Sequence, residues 1–210
     1  MAKQAKMTSP SISTVRTRRA YFDCRFGQLH VRTAFPATGG FDEGVTLLCL
    51  HPSEGSGKTY DRFLPEIAHD RSVYAPDLPG FGESDAAPDT DYATAAAAIA
   101  DLSADLRLRQ IDILGFRFGA GVALELARSR PVLVRRLVLV AAPSLPRGEP
   151  ITIPTLVLRT KTGGGDDAAW ISATLRDVRF VDLAGYAADM FDAAPRTLAT
   201  QIGEFFRAPP

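Results

Sequence analysis

Short runs of consecutive apolar residues recur along this chain: Val45-Thr46-Leu47-Leu48-Cys49-Leu50, Ser72-Val73-Tyr74-Ala75, Ile111-Asp112-Ile113-Leu114, Leu137-Val138-Leu139-Val140 and Thr155-Leu156-Val157-Leu158. Runs that fail to alternate suit strands covered on both faces. Between them lie stretches with helical spacing. Phe63, Leu64 and Ile67 share one face, with Pro65 predicting a late start or a kink. The alanine-rich run from Tyr92 to Leu106 has high helix propensity, with Asp91 as its N-cap, and Pro131 ends a helix that follows Gly119. Val178-Arg179-Phe180-Val181 predicts a last strand, and Leu198, Ile202, Phe205 and Phe206 form the apolar face of a closing helix. Near the start the period changes to two: Phe22, Cys24 and Phe26, then Gly27-Gln28, then Leu29 and Val31. That pattern predicts an antiparallel hairpin. Strands alternating with helices predict a mostly parallel sheet between two helical layers, an α/β fold.

Composition narrows the picture modestly. A chain of 210 residues, 46% apolar and 23% charged, suits one domain with a substantial core, and neither repeat nor interior linker divides it. Net charge is zero, which gives no sign of a nucleic-acid or membrane partner, and no apolar stretch is long enough to cross a bilayer. Cys24 and Cys49 fall in strand-like segments; reduced, packed thiols and a cytoplasmic location are the expectation. The first twenty residues carry Lys3, Lys6, Arg16, Arg18 and Arg19 without an acid. They read as a solvated, disordered basic tail ahead of a folded domain spanning 21–210. No metal site and no cofactor is expected.

Two glycine-rich turns carry the candidate chemistry. The first, Gly115-Phe116-Arg117-Phe118-Gly119, lies between a buried strand and a helix. A G-x-S-x-G turn in that setting lifts a serine nucleophile over the end of a sheet. Here arginine stands in the serine position, and a guanidinium has no lone pair with which to attack a carbonyl. The second turn, Gly55-Ser56-Gly57-Lys58-Thr59, nearly spells a phosphate-binding loop, and Asp77-Leu78-Pro79-Gly80 follows like a GTPase switch. Pro52 occupies the place of that loop's first glycine, where a ring and a missing N–H oppose a phosphate cradle.

His51-Pro52-Ser53, Ala75-Pro76-Asp77-Leu78-Pro79-Gly80-Phe81-Gly82-Glu83-Ser84-Asp85 and the glycine-framed elbow together resemble the α/β-hydrolase superfamily, from about Tyr21 to the C-terminus. The resemblance implies a three-layer α/β/α sandwich with an N-terminal antiparallel hairpin. It also implies a reduced or absent cap, because only about a dozen residues separate Val140 from Thr155. It assigns the nucleophile position to Arg117, the acid to Asp166 or Asp167, and the catalytic histidine position to Tyr186. Asp166 and Asp167 fall a few residues later than the family pattern. The resemblance assigns the oxyanion-hole donors to the backbone N–H groups of Ser53 and Phe118, and makes His51 a structural hydrogen bonder beside them. His30, in the hairpin, and His69, at a helix end, are expected far from the strand tips.

A cation at a helix N-terminus needs a compensating anion. An internal pair with Glu54, or with Asp166 or Asp167 in the same role, is one candidate; a bound carboxylate or phosphate is the other. The expected function is therefore a non-catalytic α/β-hydrolase-like protein binding a small anionic ligand or a protein partner, including a second copy of itself. The alternative is a hydrolase of small ester or acyl substrates, with Tyr186 and Asp166 as acid and base and Arg117 clamping the substrate.

Overall fold

Eight strands form one sheet in the order β1-β2-β4-β3-β5-β6-β7-β8. The computed structural model describes residues 15–37, 44–143, 149–160, 168–183 and 189–209. The strands are β1 (Val15–Cys24), β2 (Gly27–Pro36), β3 (Gly44–Leu50), β4 (Arg71–Pro76), β5 (Ile111–Phe116), β6 (Val134–Val140), β7 (Thr155–Thr160) and β8 (Val178–Leu183). β1 and β2 form the antiparallel hairpin, and β2 joins β4 antiparallel; every later pairing is parallel.

Alternate residues of the central strands feed two cores, one on each face. Leu48, Leu50, Ile113, Leu137 and Leu139 pack beneath helices α2 (Tyr92–Asp105), α3 (Phe118–Ser129) and α4 (Ala168–Thr174). Leu47, Cys49, Leu114, Phe116, Val138 and Val140 pack beneath α1 (Leu64–Ile67), α5 (Met190–Ala193) and α6 (Pro195–Arg207). The expected three layers are therefore present. Both cysteines are free thiols, Cys49 buried and Cys24 half-buried. No helix among the described residues is long and apolar enough to cross a membrane.

Local chemistry explains most boundaries. Asp91 caps α2 by accepting from the Thr94 N–H at 2.7 Å. Pro65 sits in the first turn of α1, where its missing N–H costs nothing. β1 corrects the expected tail: its pairing starts with Val15 opposite Pro36, so residues 15–20 belong to the sheet. An arginine-rich edge strand is polar enough to resemble a tail, yet its backbone pairs for its full length. The hairpin turn falls at Arg25-Phe26 rather than at Gly27-Gln28, and Gly27 (φ 119°) opens β2.

At the amino ends of the parallel strands, Asp112 is fully buried. Arg135 grips its two carboxylate oxygens at 2.9 and 2.6 Å, and Arg71, also buried, reaches it at 3.2 Å. Burial pushes the Asp112 carboxyl above the ordinary carboxylate range, against the pull of Arg135 and Arg71. Arg135 also donates to the Phe206 carbonyl, and Arg136 donates to the carbonyls of Phe205, Ala208 and Pro209. These arginines satisfy the orphan carbonyls at the end of α6 and fasten that helix to the sheet.

Candidate functional site

The carboxyl end of β5 delivers Arg117 into the turn before α3. Its backbone sits at φ 48°, ψ −109°, a left-handed conformation that costs a non-glycine residue roughly 1–3 kcal/mol. The flanking glycines are sterically required. A Cβ on Gly115 would lie 2.5 Å from the Gly119 carbonyl oxygen, and one on Gly119 would lie 2.1 Å from that of Leu50. The Arg117 N–H donates to the Val140 carbonyl at 2.9 Å, anchoring the turn to β6. The strained, tightly framed elbow is thus present with arginine at its apex.

The Arg117 guanidinium lies over the Phe116 ring, 5.3 Å from its centroid, and approaches Glu54 with Nη1 to Oε1 at 3.7 Å. That contact is long for a charge-assisted hydrogen bond. The two side chains are also 42% and 68% exposed, so the pair is loosely held and solvated. Phe118 forms an aromatic wall with Tyr92 at 5.1 Å and Phe81 at 5.9 Å between ring centroids. Neither the Phe118 N–H nor the Ser53 N–H is engaged by another described residue, and Ser53 and Glu54 are exposed. The residues assigned to the elbow, its counter-charge and its flanking donors therefore meet at one end of the sheet.

His51 is fully buried and occupied structurally. Its Nε2 accepts from the Leu78 N–H at 2.9 Å, which places the ring proton on Nδ1, facing the Pro52 carbonyl at 2.7 Å. Burial lowers its pKa, so it stays neutral while bridging the loops after β3 and β4. Asp166, Asp167 and Tyr186 lie outside the described residues.

His30 is a correction. Because β2 runs antiparallel to β4 with Val31 opposite Pro76, His30 is carried to the tip of β4, not away from the strand tips. There its Nδ1 meets the Asp77 carboxylate at 3.0 Å, with both side chains buried. Asp77 accepts in addition from the Gly57 N–H at 2.7 Å and the Glu83 N–H at 2.9 Å. Ser84 completes the knot: its hydroxyl donates to the Asp77 carbonyl and accepts from the His30 N–H. Sequence reading missed this hub, although the Asp77 to Ser84 run that builds it was in view.

The hub also disposes of the phosphate-loop reading. The Gly55 N–H is engaged by the Pro52 carbonyl, that of Gly57 by Asp77, and those of Lys58 and Thr59 by Ser56. Those donors are what a nest would turn toward phosphate. Gly57 is glycine because a Cβ would meet the Ala75 carbonyl at 2.4 Å, and the segment continues as a single 3-10 turn, Gly57–Tyr60. Among the described residues no acid, cysteine and histidine cluster fit for a metal ion occurs.

Comparison with known proteins agrees with the geometry. A 2-hydroxymuconate semialdehyde hydrolase from Pseudomonas sp. is 40% identical over 106 residues, which is 47% of this chain and 37% of that protein. An uncharacterized protein of Mycobacterium tuberculosis is 37% identical over 113 residues, 53% of this chain and 32% of that one. The matched stretch thus spans about a third of the length of these relatives. Among solved structures, Cfl2 from Burkholderia cenocepacia superposes with a TM-score of 0.77 at 18% identity, covering 95% of this chain and 98% of its own. Residues 45–163 match the family model described as the alpha/beta hydrolase fold, and with the hairpin, parallel sheet and glycine-framed elbow in place, the chain belongs to that family.

Proposed function

We propose that this chain is a non-catalytic member of its family that uses the elbow to present a cation, receiving a small carboxylate or phosphate against Arg117. One observation carries the reading. The elbow keeps its strain and its steric frame around an arginine whose contact with Glu54 is long and half-exposed. A ligand oxyanion would gain the guanidinium fork, the N-terminus of α3 and the Ser53 and Phe118 N–H groups, while Glu54 swings into water. Phe81, Tyr92 and Phe118 would flank its carbon skeleton. The short β6–β7 crossing, Ala141 to Pro154, suits an open crevice, which excludes water poorly and favours binding over covalent catalysis.

Thermal-shift titration with small carboxylates and phosphates tests this. The expected result is a saturable rise in Tm that disappears in Arg117→Ala; a rise that survives the substitution removes the site. The hydrolase relatives favour a second reading, turnover of small ester or acyl substrates with Tyr186 and Asp166 as acid and base. Hydrolysis of p-nitrophenyl acetate above buffer, lost in Arg117→Ala and in Tyr186→Phe, would establish it in place of the first. The double variant Arg117→Ser, Tyr186→His asks whether the scaffold still holds catalytic spacing.

A further inference from the structure

A second basic site lies at the β1 edge of the sheet, on the side covered by α1. The β1–β2 register sets Arg19 directly opposite Arg32. Directly opposed residues of an antiparallel pair project from the same face, where like charges repel. Arg32 is also 91% buried, with only 9% of its surface exposed. Its Nη1 contacts both oxygens of Asp61, at 3.0 and 3.1 Å, but its Nε is buried with no hydrogen-bond partner among the described residues. A buried guanidinium facing a second one, with a single half-exposed carboxylate as its ion-pair partner, is under-compensated.

The groove beside this pair has a volume of about 340 Å³ and is lined by Thr17, Arg18, Arg19, Arg32 and Asp61, with Leu64 and Pro65 of α1 on its far wall. Arg19 and Arg32 project from this face, whereas Arg18, between Thr17 and Arg19 on the strand, projects from the other; two guanidiniums against one carboxylate leave a formal excess of one positive charge (2 − 1 = 1). We infer that this groove binds a phosphate monoester. A phosphoryl group supplies the negative charge this face lacks, accepts from the two arginine forks and from the Thr17 hydroxyl, and relieves the opposed Arg19–Arg32 pair. Leu64 and Pro65 give a short carbon stem an apolar surface, and the volume lies within the range of small-molecule sites. The phosphoryl group has two sources, a soluble ester or the headgroup of an anionic lipid, and the groove's chemistry is the same for both. The site is separate from the elbow and does not rest on the reading of Arg117.

Titration calorimetry of the full chain with phenyl phosphate, beside phosphatidylcholine vesicles with and without phosphatidic acid, tests the inference. Saturable binding of phenyl phosphate is expected, with affinity reduced at least about tenfold in Arg19→Glu and unchanged in Arg117→Ala. Arg19 is exposed, so charge reversal should leave folding intact; should it not, Arg19→Gln and Thr17→Val give the same reading with a smaller loss. Binding only to vesicles that carry phosphatidic acid, with the same dependence on Arg19, identifies a lipid headgroup as the source and upholds the site. Absence of binding to both probes overturns it. So does binding that ignores Arg19 substitution or that is lost in Arg117→Ala, which would move the phosphate to the elbow.

Discussion

β5 carries a charged residue near each end, and the two ends treat arginine in opposite ways. At the amino end, Asp112 is sealed from solvent and gripped by Arg135 and Arg71, while Arg135 and Arg136 hold the last carbonyls of α6. At the carboxyl end, Arg117 stands on a strained backbone with one loose partner and an aromatic ring beneath it. Arginine at the first end is a rivet whose hydrogen bonds are satisfied inside the fold. Arginine at the second is half-exposed and loosely held, with a single long ion-pair contact inside the fold. Burial and bond count, not residue type, separate a fastened arginine from a loosely held one.

The largest effect that tests this contrast is at the amino end. Asp112→Ala removes the fully buried carboxylate that Arg71 and Arg135 share, leaving the buried Arg71 only the part-exposed Asp70, and should cost about 3–5 kcal/mol in chemical denaturation. A cost below about 1 kcal/mol would mean the cluster is no rivet. Arg117→Gly should do the reverse and stabilise the fold by about 1 kcal/mol, since it relieves the positive φ and removes a cation from a helix N-terminus. Destabilisation on that substitution would show Arg117 to be a structural group after all. The smallest effect comes from an intermediate case, the partly exposed pair of Arg25 and Asp101. The Arg25 side-chain hydrogen bonds hold the Asp101 carboxyl below the ordinary carboxylate range. Its folded pKa is depressed, so its contribution is present above about pH 4 and is lost as pH falls through the lower folded value. Tm measured from pH 6 down to pH 2 should fall slightly less in Asp101→Asn than in the parent.

The alternation of apolar runs made the sheet legible, because strands buried on two faces leave little room for polar residues. The elbow was equally plain, since its glycines are dictated by backbone contacts that no side chain survives. β1 was harder: on an edge strand, backbone pairing rather than side-chain burial fixes the structure, and Arg16 to Arg19 read as tail. The placement of His30 escaped for a related reason. Its position depends on the register between β2 and β4, a long-range fact that no local pattern encodes. Glu54 was found from its neighbourhood to the oxyanion loop, but its looseness, on which the display of Arg117 depends, is a matter of distances alone.

The Asp77 knot has a practical corollary. One carboxylate gathers an imidazole from the hairpin, an amide from the turn after β3 and another from the loop after β4. The His30 ring therefore sits where three separate stretches of chain converge, and its proton signal would serve as a single native reporter on whether that whole rim is assembled. An observer following that one resonance could watch the hydrolase-like frame come together or loosen without attaching any label.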